Sequence, residues 1–168
     1  MTADEAIDDD EAAFEQTVVR EAPRLYRLAL AIAGDPGEAE DAVQETMLTT
    51  WRRWSSFQTF ANPSAWLTRV CVHQAIRGRH RLRRRVLWAE ERWTEAAQPE
   101  APGSDGQLVD LDRAYRSLSS PQRAMVVLHI GEGRSLEECA SILGCRPGTA
   151  HSHLARARAK LRGALTDA

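Results

Sequence analysis

The stretch GDPGEAEDAVQETMLTTWRRW, residues 34–54, predicts the helix around which the fold is organised. Gly34, Asp35 and Pro36 are a turn signal that ends any preceding helix. Mostly apolar residues then recur at steps of three and four positions, which is the spacing of one helix face. They are Ala39, Ala42, Val43, Thr46, Met47, Thr50, Trp51 and Trp54. The stretch therefore predicts an amphipathic helix with one side packed in a core.

A second face of this helix is largely polar. Asp41, Gln44, Glu45 and Leu48 also follow one another at steps of three and four, so two acids, an amide and an apolar side chain share one patch. In an arbitrary protein, such a patch is most often a solvated surface. Here the chain goes on to an arginine-rich helix and a helix-turn-helix pattern, and these neighbours favour a binding face.

Length and charge limit the class of protein. A chain of 168 residues forms one domain or two small ones. The net charge is −2, but the first 15 residues hold seven acids and no bases, whereas arginines crowd the middle and the end. This asymmetry indicates polyanion contact by the basic parts. No apolar run is long enough for a membrane span and no signal peptide is present, so we expect a cytoplasmic protein without membrane insertion.

The composition divides the chain into four segments. We predict a disordered acidic N-terminus (1–10), a first helical domain (11–95), a proline- and glycine-rich linker (96–106) and a second domain (107–168). In the first domain we expect a helix over residues 11–33, kinked or divided at Pro23, and a loop over residues 54–61. From charge alone, residues 1–10 would shield the basic helix, so their deletion would raise DNA binding by the free protein.

A basic helix is predicted to begin at Asn62-Pro63, where an N-cap residue precedes a proline at the first helical position. Its second half is almost wholly basic, with six arginines between positions 77 and 85. A helix of this charge density repels itself unless a polyanion neutralises it, so phosphate contact is favoured over a merely solvated surface. The nearby aromatic residues Phe57, Phe60 and Trp66 either pack in the core or stack on unpaired bases.

The end of the chain has the pattern of a helix-turn-helix. Ser135 and Glu138 form a capping box before a short helix, and Gly144 ends that helix. A longer basic helix follows. Its apolar stripe consists of Ala150, Leu154, Ala157 and Leu161. The second helix of such a pair enters the DNA major groove by its N-terminal residues.

Two other kinds of site find little support. Cys139, Cys145, His151 and His153 are zinc-type ligands, but their spacing is unlike the common finger patterns and Cys139 occupies an apolar core position. Three cysteines without a close pair do not predict a disulfide framework. The sequence also lacks a glycine-rich phosphate loop and a nucleophile elbow, so we predict no metal, no cofactor and no catalytic site.

Taken in order, these motifs resemble a known family. ED-AVQET-MLTTW, followed by Phe57, the run from Pro63 to Leu67 and the basic helix, resembles region 2 of bacterial sigma factors. LSSPQRAMVVLHIGEGRSLEECASILGCRPGTAHSHLARARAKLR is similar to their region 4, and the compact layout is similar to the extracytoplasmic-function (ECF) group. The resemblance covers residues 14–165. It implies an all-α fold of two small helical domains, a region 2 bundle and a region 4 helix-turn-helix.

The resemblance also implies a promoter-specificity subunit that binds core RNA polymerase, recognises promoter DNA and assists its melting. The residues implied for the coiled coil of the largest polymerase subunit are Asp41, Gln44, Glu45 and Leu48. Those implied for the minus-ten element are Trp66, Arg69, His73, Arg77, Arg79, Arg81, Arg83 and Arg84. Those implied for the minus-thirty-five element are Arg146, Thr149, His151, Ser152, His153, Arg156 and Arg158. An anti-sigma factor is the third implied partner, and the polymerase supplies the chemistry.

The sequence departs from the family pattern at four positions. Many relatives have Asn at the position of His73 and Asp at that of Arg77, which alters the base preference expected here. Relatives usually carry Lys and Arg where this chain has His151 and His153. Because histidine loses its charge above a pKa of about 6.5, we predict weaker and more pH-sensitive DNA binding by the last helix.

Two other functions fit parts of the sequence. A helix-turn-helix regulator that never joins polymerase would keep its activity when Asp41, Gln44 and Glu45 are substituted. A protein-interaction adaptor with a residual DNA fold would bind DNA negligibly even with polymerase present, and the reduced charge at His151 and His153 is compatible with it. An enzyme is the least supported class.

Overall fold

The computed structural model describes residues 3–90 and 106–166, and the side chains of residues 9–82 and 111–164. Every element in these ranges is a helix, which confirms the predicted all-α fold. The elements are α1 (Ala3–Ala33), α2 (Pro36–Trp51), α3 (Trp54–Phe57), α4 (Pro63–Glu90), α5 (Gly106–Ser117), α6 (Ser120–Met125), a π-helix (Val126–Gly131), α7 (Leu136–Leu143) and α8 (Pro147–Thr166).

The chain forms two compact units, residues 1–78 and 79–168. The predicted linker, residues 96–106, lies outside the described residues except for Gly106, the first residue of α5. The boundary drawn from the sequence at residue 95 also lies outside the described residues and stays a prediction.

Helix α2 begins where the turn signal predicts. Gly34 has a φ of 76°, a left-handed conformation that ends α1 and that glycine adopts without strain. Asp35 then caps α2, because its Oδ1 accepts a hydrogen bond from the Glu38 backbone N–H at 2.9 Å. Thr46 and Thr50 are buried on the apolar face, and their hydroxyls donate to carbonyl oxygens one turn earlier at 2.7 and 2.8 Å. Because both hydroxyls have a hydrogen-bond partner, the two threonines can be buried in the core without an unpaired polar group.

The core of the first unit lies between α1, α2 and α4. Its largest fully buried side chains include Leu25, Ile32, Leu67, Cys71 and Val72. Burying an aliphatic side chain of this size contributes about 1.5–3 kcal/mol. Two hydrogen bonds also join α1 to α4: Arg24 Nη2 donates to Thr68 Oγ1 at 3.0 Å, and the Cys71 thiol donates to the Leu25 carbonyl at 3.5 Å. These contacts hold α4 in register against α1.

Helix α1 is longer than the sequence predicts. It begins at Ala3 and passes through Pro23 as one element, whereas the sequence predicts disorder over residues 1–10 and a kink or boundary at the proline. Acids at a helix N-terminus are favoured by the macrodipole, and the Asp10 carboxylate accepts two side-chain hydrogen bonds from the segment that follows α2. That segment, residues 54–61, is predicted as a loop and contains the single turn α3.

Helices α2 and α4 approach each other closely at a glycine. A Cβ built on Gly78 would lie 2.6 Å from Glu38 Oε2 and 3.3 Å from Glu38 Cβ. Glu38 is itself buried, with 4 % of its surface exposed. The absence of a side chain at Gly78 therefore sets how near α4 lies to the start of α2.

In the second unit, arginines bind the last carbonyls of α5. Arg123 donates through Nε to the Tyr115 carbonyl at 3.2 Å and through Nη2 to the Arg116 carbonyl at 3.0 Å. Its guanidinium carbon also lies 4.9 Å from the centre of the Tyr115 ring. Arg79 Nη2 donates to the carbonyls of Arg116 and Leu118 at 3.1 and 2.9 Å. Because the last carbonyls of a helix have no partner within it, these two side chains complete the end of α5.

Helices α7 and α8 form the predicted helix-turn-helix. The capping box is confirmed: Ser135 Oγ accepts from the Glu138 N–H at 3.1 Å, and Glu138 Oε2 accepts from the Ser135 N–H at 2.7 Å. Gly144 ends α7 with a φ of 66°, the left-handed conformation expected of a C-terminal glycine. Pro147 then begins α8, whose apolar stripe of Ala150, Leu154 and others packs inward.

Candidate functional site

The polar face of α2 lies on the surface of the first unit. Asp41, Gln44, Glu45 and Leu48, the residues implied for polymerase, are all exposed. Leu48 keeps 46 % of its surface in water, although it is a large apolar side chain. Two acids and an exposed leucine on one helix face are well suited to bind a protein that offers both basic and apolar side chains.

Next to this face, α1 and α2 enclose an apolar groove of about 590 Å³. Helix α1 contributes Glu11, Phe14, Glu15 and Val18, and α2 contributes Gln44, Met47, Leu48 and Trp51. Gln44 and Leu48 therefore belong both to the predicted face and to the groove. Trp51, which sequence periodicity placed in the core, is 43 % exposed and forms part of the groove wall. The spacing did contain the signal, because Trp51 follows Leu48 by three positions on the same helix.

An aromatic cluster connects the N-terminal half of α1 and the end of α2 to the start of α4. The rings in contact, with centroid distances between 5.0 and 6.4 Å, are Phe14, Trp51, Trp54, Phe57, Phe60 and Trp66. Trp54 and Phe57 are buried, whereas Phe60 and Trp66 are half-buried. The cluster therefore has a packed interior and two rings that still reach solvent, and stacking of these rings on unpaired bases stays a prediction.

The first half of α4 carries four of the implied minus-ten residues on one face. Trp66, Arg69, His73 and Arg77 are spaced three, four and four apart, which aligns them along the helix. Arg69 and Arg77 are exposed, and Trp66 and His73 are half-buried. The face thus combines cations that can neutralise phosphates with flat rings that can contact bases.

The other implied minus-ten residues have different surroundings. Arg79 is 7 % exposed, and its guanidinium binds the α5 carbonyls described above. Arg81 is half-buried. The side chains of Arg83 and Arg84 lie outside the described residues. In this structure, therefore, Arg79 acts as an internal hydrogen-bond donor of the second unit.

The N-terminal half of α8 presents a polar face. Thr149, Ser152 and Arg156 are exposed and spaced three and four apart, so they share one side of the helix away from its buried stripe. The remaining exposed residues implied for the minus-thirty-five element are Arg146, His151 and Arg158. Hydroxyl and guanidinium groups in this arrangement offer donors and acceptors to base edges, flanked by cations for phosphates.

His153 differs from the rest of this set because it is half-buried. Its Nδ1 is buried and has no hydrogen-bond partner among the described residues. Burial, and secondarily the positive charge of Arg156, lowers the pKa of His153 below its ordinary value of 6.5. This shift reduces the positive charge that His153 can bring to a phosphate contact near neutral pH. The predicted pH sensitivity of DNA binding stays a prediction.

The zinc-type residues do not assemble into a metal site in the described chain. Cys139 is fully buried in the core, and burial raises the pKa of its thiol. Across residues 9–82 and 111–164, whose side chains the structure describes, no three His, Cys, Asp or Glu side chains are grouped so as to hold a metal ion. Within residues 3–90 and 106–166, none of the helices has the length and apolarity that a membrane span requires.

Comparison with known proteins identifies the family. Residues 17–85 match the model of Sigma-70 region 2, and residues 108–161 match that of Sigma-70 region 4. Together the two matches span more than half of the chain. The chain belongs to the sigma-70 family. Members of this family are promoter-specificity subunits of bacterial RNA polymerase, and the helix-turn-helix of α7 and α8 is part of region 4.

Curated relatives place this sigma factor in the ECF group. The ECF RNA polymerase sigma factor SigE of Mycolicibacterium smegmatis is 35 % identical over 160 residues, covering 90 % of this chain and 61 % of the relative. This chain is thus markedly shorter than that relative. The RNA polymerase sigma-E factor of Streptomyces coelicolor is 35 % identical over 161 residues, covering 90 % of this chain and 85 % of the relative.

A solved structure supports the same assignment. The sigma factor RpoE of Bartonella quintana, crystallised in complex with the anti-sigma factor NepR, superposes with a TM-score of 0.67 at 30 % identity. The match covers 92 % of this chain and 97 % of that one. In this chain, the region 2 match contains the α2 face, the aromatic cluster apart from Phe14, and the α4 stripe, which consists of Trp66, Arg69, His73 and Arg77. The region 2 match begins at residue 17, so Asp10 and the first turns of α1 precede it.

Proposed function

We propose that this sigma factor uses separate faces for core RNA polymerase and for the two promoter elements. The observation that carries the proposal is the α2 face, where Asp41, Gln44, Glu45 and Leu48 are exposed beside an apolar groove. A regulator that bound only DNA would not require an acidic and apolar face of this kind. Joined in one chain to a helix-turn-helix, this face supports recruitment of the polymerase to DNA chosen by the sigma factor.

The polymerase contact rests on apolar burial and on charge. The apolar groove residues Phe14, Met47 and Trp51 would bury apolar side chains of a partner, and exposed apolar area is usually covered in this way. The carboxylates of Asp41 and Glu45 would attract basic side chains and orient the approach. These features suit a helical partner, and the family resemblance implies the coiled coil of the largest polymerase subunit.

The minus-ten contact rests on the α4 stripe. Arg69 and Arg77 are free of burial and would neutralise phosphates, which makes binding fall with salt. Trp66 and Phe60 would stack on bases that leave the duplex. Holding unpaired bases in this way offsets unstacking, which costs a few kcal/mol per step. Arg79 enters this contact only if it leaves its carbonyl partners, so we expect it to contribute less than Arg77.

The minus-thirty-five contact rests on α8. Thr149, Ser152 and Arg156 would face base edges in the major groove, because the N-terminal residues of a recognition helix do so. Arg146, in the turn before α8, and Arg158 would bind phosphates on either side. A bidentate arginine contact with a base contributes about 1–3 kcal/mol of discrimination, so Arg156→Ala should relax base preference.

Regulation by an anti-sigma factor is part of the proposal. It is supported by the relative from Bartonella quintana, which was crystallised with the anti-sigma factor NepR. The α1–α2 groove is an apolar surface that such a partner would cover in competition with polymerase. Since core polymerase and promoter DNA are the other partners, we place the protein in the cytoplasm.

Run-off transcription tests the proposal directly. Purified core polymerase is incubated with fragmented genomic DNA from the protein's own source, with and without the chain, and new start sites are mapped. We expect start sites that appear only with the chain and share two upstream elements. Alanine at Asp41, Gln44 and Glu45 together should abolish them, whereas Glu40→Ala, an exposed acid outside the predicted face, should not.

The same experiment separates the alternatives. Start sites that persist in the triple variant would refute the assignment of the α2 face. Binding of DNA by the chain with no polymerase-dependent transcript would favour a regulator that acts without polymerase. If the chain neither binds DNA nor produces polymerase-dependent transcripts, the adaptor would be favoured.

A further inference from the structure

The first turns of α1 are tied to the segment that leads into α4. Asp10 Oδ1 accepts a hydrogen bond from Trp54 Nε1 at 3.0 Å and another from Gln58 Nε2 at 3.0 Å. Trp54 is buried, and a buried indole N–H generally needs an acceptor. The carboxylate supplies that acceptor and carries a charge, which strengthens both hydrogen bonds. Asp10 therefore links α1 to Trp54 in α3 and to Gln58 directly after it.

Phe14 reinforces the same contact one helical turn later. The rings of Phe14 and Trp54 form a T-shaped contact with a centroid distance of 5.4 Å and an interplanar angle of 89°. Residues 10 and 14 lie on the same face of α1, because they are four positions apart. Asp10 thus contacts the indole N–H of Trp54 and Phe14 contacts its ring, and both contacts restrict the orientation of the Trp54 side chain.

From Trp54, ring contacts lead to the residues proposed to receive DNA bases. Trp54 stacks on Phe57 at 5.5 Å with an interplanar angle of 23°. Phe57 in turn contacts Phe60 at 6.0 Å and Trp66 at 5.7 Å. Because each ring rests on the previous one, the position of Trp54 sets the positions of Phe60 and Trp66.

We propose that Asp10 is a positioning residue for the minus-ten contact: it holds Trp54 and Gln58 so that Phe60 and Trp66 are presented to unpaired promoter bases. This proposal rests on the proposed function of the α4 stripe and of the aromatic cluster. It assigns a role to a residue that precedes the region 2 match. It also opposes the expectation from charge alone, in which the acidic start of the chain only shields basic residues and its removal raises DNA binding.

The test compares four full-length chains assembled with core polymerase: wild type, Asp10→Ala, Asp10→Asn and Asp9→Ala. Asp9 is the matched control, because it is an exposed acid at the neighbouring position of α1. Asp10→Asn keeps an oxygen acceptor without the charge. The probe is the single non-template strand around the minus-ten element of a promoter recovered by run-off transcription. A duplex that carries only the minus-thirty-five element is the second probe.

We expect Asp10→Ala to bind the single strand about tenfold more weakly, the loss of roughly one hydrogen bond to a charged group. Asp10→Asn should retain most of the affinity, and Asp9→Ala should match wild type. Affinity for core polymerase and for the minus-thirty-five duplex should be unchanged in all four chains. The selective loss on the single strand distinguishes positioning from general destabilisation.

Three results would overturn the proposal. The first is equal binding of the single strand by Asp10→Ala and Asp9→Ala, whether unchanged or increased. The second is a parallel loss of polymerase binding in Asp10→Ala that Asp10→Asn does not restore, which would make Asp10 a residue of folding alone. The third is a wild-type holoenzyme that transcribes but does not bind the single strand, which would refute the base-stacking role of the aromatic cluster and leave the polymerase assignment intact.

Discussion

Replacing Arg123 with methionine should lower the stability of the second unit far more than the same change at the exposed residue Arg116. Arg123 is 5 % exposed and donates to the carbonyls of Tyr115 and Arg116 while stacking on the Tyr115 ring. Methionine has a comparable length and no donors, so Arg123→Met removes two hydrogen bonds and one cation–π contact but keeps most of the packing.

The size of the effect follows from these contacts. Hydrogen bonds to charged groups contribute about 1.5–3 kcal/mol each, and a cation–π contact about 0.5–2 kcal/mol. Two factors reduce the loss. The Tyr115 carbonyl still accepts from the Leu118 N–H at 3.1 Å and the Arg116 carbonyl from Arg79, so no acceptor loses its last partner. Methionine also avoids the burial of charge that lowers the pKa of Arg123. We therefore expect a net loss of about 2–3 kcal/mol.

The control carries a surface ion pair. Arg116 Nε lies 2.8 Å from Asp112 Oδ2, and the two side chains are 71 % and 55 % exposed. Such pairs contribute about 0–1 kcal/mol, so Arg116→Met should have little effect.

Amide hydrogen exchange of the full chain, read by mass spectrometry, measures both variants. A loss of 2–3 kcal/mol corresponds to about 30- to 150-fold faster exchange of protected amides in α6 and α8. Amides of α2, in the other unit, serve as the internal reference. The reasoning would be refuted if Arg123→Met accelerated exchange no more than Arg116→Met.

Three further outcomes follow from the described contacts. Gly78→Ala should lower stability by about 1 kcal/mol, because contact of the new methyl group with Glu38 outweighs the gain in helix propensity. At Gly163 an added Cβ would meet no atom within 4 Å beyond the adjacent helix backbone, so Gly163→Ala should raise stability by up to about 1 kcal/mol; equal shifts of the two variants in thermal melts would contradict this. Ser135→Ala should cost about 1 kcal/mol and speed exchange in α7. Burial keeps the pKa of His153 below 6.5, so just below pH 6.5 the unfolded chain binds more protons than the folded chain. The free energy of unfolding, measured by urea titration, should therefore fall as pH drops through this window, and the fall should be smaller in His153→Gln.

Local signals in the sequence were sufficient for most of the helix boundaries. Asp35, Ser135 and Gly144 act on backbone groups within a few residues, so their roles follow from the sequence and are confirmed in the structure. The main difference between the predicted and the observed helices is the start of α1, which begins at Ala3 where the sequence predicts disorder. Its acidic turns look disordered in isolation, but Asp10 finds donors on side chains more than forty positions away, and no local pattern reveals such partners.

The candidate site divides in the same way. Spacing along one helix predicted that Asp41, Gln44, Glu45 and Leu48 share a face, because helix geometry alone determines it. Whether a side chain is free depends on what lies opposite, so the sequence could not separate Arg77, which is exposed, from Arg79, which binds carbonyl oxygens.

The order of motifs along the chain was enough to predict most of the helices, the helix-turn-helix and the family, because periodicity, caps and turns are properties of neighbouring residues. Only the tertiary structure decided that Trp51 lines a groove rather than the core, that Gly78 is where α2 and α4 meet, and that Asp10 holds Trp54. Those facts arise from contacts between residues distant in sequence, and the free energy of such contacts depends on packing that no local pattern encodes.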